Sequence, residues 1–81
     1  MWYFTIDQPR LDNRQYQRLQ QLASLTEVEL FNDPYPNVCR LEVESDRYRD
    51  TMDYLDREGI TYEAATHRPT REELLKSMTN D

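Results

Sequence analysis

An α+β fold, with one four-stranded antiparallel sheet, two helices on one of its faces and a short C-terminal third helix, is predicted by this 81-residue sequence. Three observations carry the prediction. Apolar and polar residues alternate in four short stretches, the period of a half-buried strand. Two stretches between them place apolar residues at helical spacing. Capping patterns and turn formers separate these six segments, in the order strand, helix, strand, strand, helix, strand.

The first strand is read over residues 2–7, with Trp2, Phe4 and Ile6 on one side and Tyr3 and Thr5 on the other. Asp12 followed by Gln15 is a capping-box pattern. Tyr16, Leu19, Leu22 and Ala23 then recur at helical spacing, which predicts a helix over 13–24. Val28 and Leu30 alternate with Glu27 and Glu29 in a second strand, 26–31. The run Asn32-Asp33-Pro34-Tyr35-Pro36-Asn37 is dense in turn formers and is a loop. In a third strand, 38–44, Cys39, Leu41 and Val43 face inward and Arg40, Glu42 and Glu44 outward. Ser45 or Asp46 is expected to cap a second helix, 46–58, whose inner stripe is Tyr48, Thr51 or Met52, and Leu55. Gly59, the only glycine, falls where a helix end needs a left-handed residue. Ile60, Tyr62 and Ala64 alternate with Thr61, Glu63 and Ala65 in a fourth strand, 60–66. Thr70 and Glu73 form a second capping box before a terminal helix, 71–79, with Leu74, Leu75 and Met78. Residues 79–81 are expected to fray.

That order resembles the ferredoxin-like split βαβ plan over residues 2–66. The resemblance implies that right-handed crossovers set both main helices on one face of the sheet. It carries no signature motif and therefore implies no particular activity. Residues 1–81 are read as a single domain, with about 60–65% of the unfolded-chain surface buried on folding. Met1 leads straight into Trp2-Tyr3-Phe4, without a basic segment or a long apolar run. The expectation is a cytoplasmic protein, of a cell or of an infected host cell, with no membrane contact.

Charge is the main functional lead. Sixteen acidic residues stand against ten basic ones, a net charge of −6. Glu27, Glu29, Glu42, Glu44 and Glu63 occupy alternate strand positions, so they share the side of the sheet away from the helices. Such a face serves either as a solvated surface that keeps the sheet soluble or as an anionic surface that steers a basic partner. Arg40 among these glutamates neutralises part of it. Tyr3 is the one aromatic on that face placed to stack a base, and its neighbours include glutamates, so direct nucleic-acid binding is not expected. Tyr35, held between two prolines, is either an interface anchor or a cover for the sheet edge. The candidate partner-binding residues are therefore Glu27, Glu29, Glu42, Glu44, Glu63, Tyr3 and Tyr35.

Other groups point to no chemistry. Arg10, Arg14 and Arg18 share a stripe of the first helix, either solvated or a second contact patch that pairs with the acidic face of another copy. Arg49, Asp53 and Arg57 are expected to form ordinary ion pairs along the second helix. The single cysteine, Cys39, reads as an inward strand residue, and the single histidine, His67, has no ligand spacing around it. One glycine cannot build a phosphate-cradling loop. No catalytic residue, metal or cofactor is expected.

The expected function is a small acidic protein-interaction module without catalysis, docking on the basic surface of a larger protein. In size, acidity and lack of reactive groups it resembles the anti-restriction and anti-CRISPR proteins that cover nucleic-acid-binding surfaces. An alternative is a small-molecule-sensing module like the ACT domains, although Asp7-Gln8-Pro9-Arg10 lacks the glycine such modules commonly use. A second alternative is a solvated domain with no ligand. A homodimer is compatible with each.

Overall fold

The computed structural model describes residues 1–79. Strand β1 spans Trp2–Asp7 and a 3₁₀ turn Gln8–Arg10 follows it. Then come helix α1 Asn13–Leu22, strands β2 Leu25–Glu29 and β3 Val38–Val43, helix α2 Tyr48–Arg57, strand β4 Glu63–Ala65 and helix α3 Arg71–Thr79. The strands form one antiparallel sheet in the order β2-β3-β1-β4. The chain is thus α+β, with a four-stranded antiparallel sheet and three helices.

Register follows from the alternation. On one side Trp2, Phe4 and Ile6 pair across to Val43, Leu41 and Cys39. There Phe4, Ile6, Cys39, Leu41 and Val43 form a buried cluster with Leu19 and Leu22 of α1 and Leu55 of α2. Tyr48 packs on this side against Trp2, tilted, and Phe4, stacked, at centroid distances of 4.3 and 5.5 Å. The opposite side carries three rows. Leu25, Glu42, Tyr3 and Ala65 make the first, Glu27, Arg40, Thr5 and Glu63 the second, and Glu29, Val38 and Asp7 the third.

Element ends follow hydrogen bonding rather than pattern. Asp12 caps α1 in the expected box: its Oδ1 accepts from the Gln15 N–H at 2.7 Å, and Gln15 Oε1 from the Asp12 N–H at 3.0 Å. The helix stops at Leu22, not residue 24, because the Ser24 N–H donates to the Glu42 carbonyl and draws the chain into the sheet. Strand β2 stops at Glu29, not 31, because β3 begins at Val38 and offers Leu30 no partner. The fourth strand is shorter than 60–66. The Ile60 N–H donates to the Leu55 carbonyl, and β1 turns away after Asp7, opposite which Thr61 would have paired.

Three other expectations are corrected. Neither Ser45 nor Asp46 caps α2; both lie in a 3₁₀ turn, Ser45–Arg47, that leads into it without a side-chain cap. Arg10 lies in the 3₁₀ turn before α1 and pairs with Asp7 at 3.6 Å, so the arginine stripe of α1 is Arg14 and Arg18 only. The ion pairs expected among Arg49, Asp53 and Arg57 do not form among the described residues; the side chains stay exposed in water, where such pairs contribute little. Helix α3 has the expected bounds; of the expected fraying segment, residues 80 and 81 lie outside the described residues. No described helix is long and apolar enough to cross a membrane.

Gly59 ends α2 at φ +70°, and a Cβ built there meets no atom within 4 Å. Any cost of substitution is therefore backbone strain alone. Gly59→Ala is expected to destabilise the fold by about 1 kcal/mol, and Gly59→Asn by less, since asparagine tolerates this region best. Urea unfolding of the three chains checks the ranking.

Candidate functional site

The side of the sheet without α1 and α2 is not bare. Arg40 stands in the middle of its central row and is only 5% exposed. Strand β3 is paired on both flanks, so this guanidinium has no route to bulk water through a sheet edge. A buried charge needs charged hydrogen-bond partners. Glu27, directly opposite on β2, takes Arg40 Nε at 3.5 Å, and Glu29, on the diagonal, takes Nη2 at 3.3 Å. Arg40 Nη1 has no hydrogen-bond partner among the described residues.

The same two carboxylates are approached from above. After β4 the chain returns across this face, and Arg68 Nη2 donates to Glu27 Oε1. Arg71, the first residue of α3, donates from Nη1 to Glu29 Oε2 at 2.9 Å and to the Leu30 carbonyl. Its guanidinium carbon lies 4.3 Å from the centre of the Phe31 ring, a cation–π contact. Phe31 is held in place by its own N–H, which donates to Asn37 Oδ1 at 2.8 Å. Asn37 Nδ2 in turn donates to Gln8 Oε1 at 3.3 Å, at the end of β1. Carboxylate, carbonyl and aromatic face thus form a seat for one guanidinium. Arg71 holds the Glu29 carboxyl below the ordinary carboxylate range by hydrogen bonding, with Arg40 acting in the same direction against the effect of burial.

Helix α3 begins with the expected capping box, the Glu73 N–H donating to Thr70 Oγ1 and the Thr70 N–H to Glu73 Oε1, both at 3.1 Å. His67 Nε2 lies 3.0 Å from Glu73 Oε2, and this contact leads the groups that lower the Glu73 pKa. Among the side chains of residues 71–78 only Leu74 is buried. Leu74 and Ser77 line two clefts, of about 520 and 220 Å³, that run between this helix and the sheet. The helix therefore rests on the sheet along a narrow line.

The structure unites some of the sequence-predicted residues and scatters others. Glu27 and Glu29 lie side by side, joined by Arg40. Tyr3 and Glu42 are half-buried neighbours in the first row. Glu44, beyond the end of β3, is exposed and accepts from Ser24 Oγ at 3.5 Å. Glu63 is exposed on the edge strand β4, opposite Thr5. Tyr35 is half-buried at the Asp7–Val38 end, where it lines the larger cleft. Sequence reasoning missed Arg68, Arg71 and Phe31. One signal was present: Arg71 stands in the first helical turn, where the helix dipole disfavours a cation unless something else holds it.

Cys39 and His67 cannot act as a pair. Cys39 is fully buried on the helix side, where burial pushes its thiol up to about 11. His67 is exposed on the other side of the sheet. Among the described residues no three of His, Cys, Asp and Glu converge as metal ligands would. Comparison with protein-family models, curated proteins and solved structures returns no match.

Two predictions follow from the charge geometry. Glu27→Gln with Glu29→Gln leaves Arg40 buried against neutral amides and is expected to cost about 3 kcal/mol, near the lower end for breaking a buried pair. Arg40→Met removes the buried charge itself, leaves the glutamates to Arg68 and Arg71, and should cost about 1 kcal/mol or less. Urea unfolding separates the two. The second prediction concerns pH. Glu29 and Glu73 both have lowered folded-state pKa values, so their contributions are present above the ordinary glutamate value of about 4.3 and fade as pH falls below it. The amide protection factors of Leu74–Met78, corrected for the intrinsic pH dependence of exchange, should therefore fall in acid before those of β1 and β3.

Proposed function

We propose that this chain is a small acidic interaction module without catalysis, built on the ferredoxin-like plan, whose helix α3 side docks on a basic surface of a larger protein. The order β2-β3-β1-β4, read from the other edge as 4-1-3-2, supports that plan. The observation that carries the functional reading is the Glu27–Glu29 pair. Arg40 fixes it from below, and each carboxylate takes a further arginine from above. A surface that already selects guanidinium groups suits a basic partner better than a neutral one.

Glu42, Glu44 and Glu63 lie around this pair and form no ion pair among the described residues, and Tyr3 and Tyr35 supply half-buried aromatic area at either end. Charges of this kind at the rim speed encounter more than they hold the complex. One form the function takes is an inhibitor or adaptor that covers a nucleic-acid-binding surface, in the manner of the anti-restriction and anti-CRISPR proteins. Its place is then the cytoplasm of the cell or host cell, and it contacts neither membrane nor nucleic acid directly.

The larger cleft supports a second reading, a small-molecule-sensing module like the ACT domains. Its volume of about 520 Å³ is within the usual range for ligand sites, and Asp7, Arg10, Tyr35 and Tyr62 line it. A thermal-shift screen with amino acids and nucleotides tests this. A ligand at a hundred times its Kd would stabilise the chain by about 2.7 kcal/mol, and a flat screen removes the reading.

For the interaction module, the test is the triple variant Glu42→Lys, Glu44→Lys, Glu63→Lys, which spares the central pair. Association with a captured basic partner should slow by at least about tenfold at low salt, and the gap should narrow as salt is raised. The partner's nucleic-acid binding should also recover. Unchanged association rates would remove the acidic rim from the interface.

A further inference from the structure

We infer that residues 66–79 are an internal stand-in for the partner: they occupy a site on the sheet that an arginine-bearing segment of that partner takes over when it binds. The inference rests on the interaction module proposed above and deepens it, by naming the chemistry of what docks. The occupant is a peptide segment with two arginines three positions apart, the first in non-helical chain and the second at the start of a helix, as Arg68 and Arg71 are.

The site is built, and it is specific for guanidinium. Glu29 offers one oxygen to Arg40 and the other to Arg71, so it can lose Arg71 without losing its anchor. Glu27 is likewise held by Arg40 when Arg68 leaves. The Leu30 carbonyl and the Phe31 ring complete the seat, and the Phe31 backbone is tied to Asn37, outside α3. A planar fork can meet carboxylate, carbonyl and ring together, whereas an ammonium cannot reproduce that geometry. Taking Arg68 and Arg71 away leaves a −2 carboxylate pair against one buried +1 guanidinium, so the uncovered site is anionic. Two apolar residues at the two ends of the edge strand β2, Leu25 and Leu30, are 47% and 66% exposed.

The cover itself is lightly held. Arg68 and Arg71 are each 51% exposed, Leu74 is the one buried side chain among residues 71–78, and Leu75 is 37% exposed. Clefts flank the helix where it meets the sheet. A nine-residue helix has little stability of its own, so its place depends on this docking. Its advantage is attachment, which gives it a high effective concentration. A partner segment with further contacts of its own can exceed that advantage.

The experiment uses the full chain with Arg68→Gln and Arg71→Gln and, as probe, a fluorescent synthetic peptide of residues 66–79. If the cover fills the site nine-tenths of the time, the peptide should bind the double variant about tenfold more tightly than the wild type. The gain should vanish on adding Glu29→Gln or, independently, Phe31→Ala, and a peptide with lysine at both arginine positions should bind more weakly. Near-ultraviolet circular dichroism confirms that each variant remains folded. Equal affinity for wild type and double variant overturns the proposal, as does binding that ignores both Glu29→Gln and Phe31→Ala. A wild-type dimer that exchanges C-terminal segments also overturns it, because the occupant is then a second copy. Capture of a basic partner that depends on Glu42, Glu44 and Glu63 but is the same with and without Arg68 and Arg71 overturns the cover and leaves the interaction module standing. The expected peptide pattern in a chain that captures no partner supports the seat and removes the wider module.

Discussion

A guanidinium buried in the middle of a sheet face is the constraint on which this structure turns. Arg40 sits on a strand paired on both flanks, so its charge must be met by neighbours in the same sheet. The cross-strand position supplies Glu27 and the diagonal supplies Glu29. Both carboxylates then have capacity left on their outward sides, and a carboxylate that is already desolvated binds a second cation with little further loss of hydration. The position of α3 follows. Arg71 at its start and Arg68 just before it meet the two glutamates, and Leu74 covers the sheet between them and β4. Packing holds the helix side of the sheet, and charge holds the other.

How far the sequence speaks depends on the range over which each feature is decided. The strands were legible because alternation is local, and so were both capping boxes, because Asp12 with Gln15 and Thr70 with Glu73 lie within one turn. Gly59 was legible for the same reason. Strand ends were not, since Glu29 and Glu63 mark where a partner strand stops or starts. The covering of the outer face was hidden more deeply. It is decided by contacts between residues 41 and 42 positions apart, and no periodicity in the sequence records them. The outward direction of Arg40 was readable from alternation, but its burial was not, because burial came from a segment thirty residues further on.

Overall charge misdirects in the same way. The chain carries −6, yet the centre of its apparently acidic face holds three arginines and two glutamates. Net charge describes the field that a partner feels at a distance, while recognition depends on which groups are already paired. The unspent acidity has moved outward, to Glu42, Glu44, Glu63 and the exposed aspartates of α2. Reactive groups are separated as firmly: the thiol lies under the helices and the imidazole in the bend between β4 and α3.

The position of Trp2 gives the molecule two separate optical windows. The only indole lies on the helix side, its ring centre 4.3 Å from that of Tyr48 of α2, with the sheet between it and α3. Its emission therefore follows the union of β1 with α2 and is blind to whatever happens across the sheet. Far-ultraviolet ellipticity counts every helical residue, α3 included. A loss of ellipticity at constant emission is thus the spectral mark of this protein opening on one side while its core stays closed.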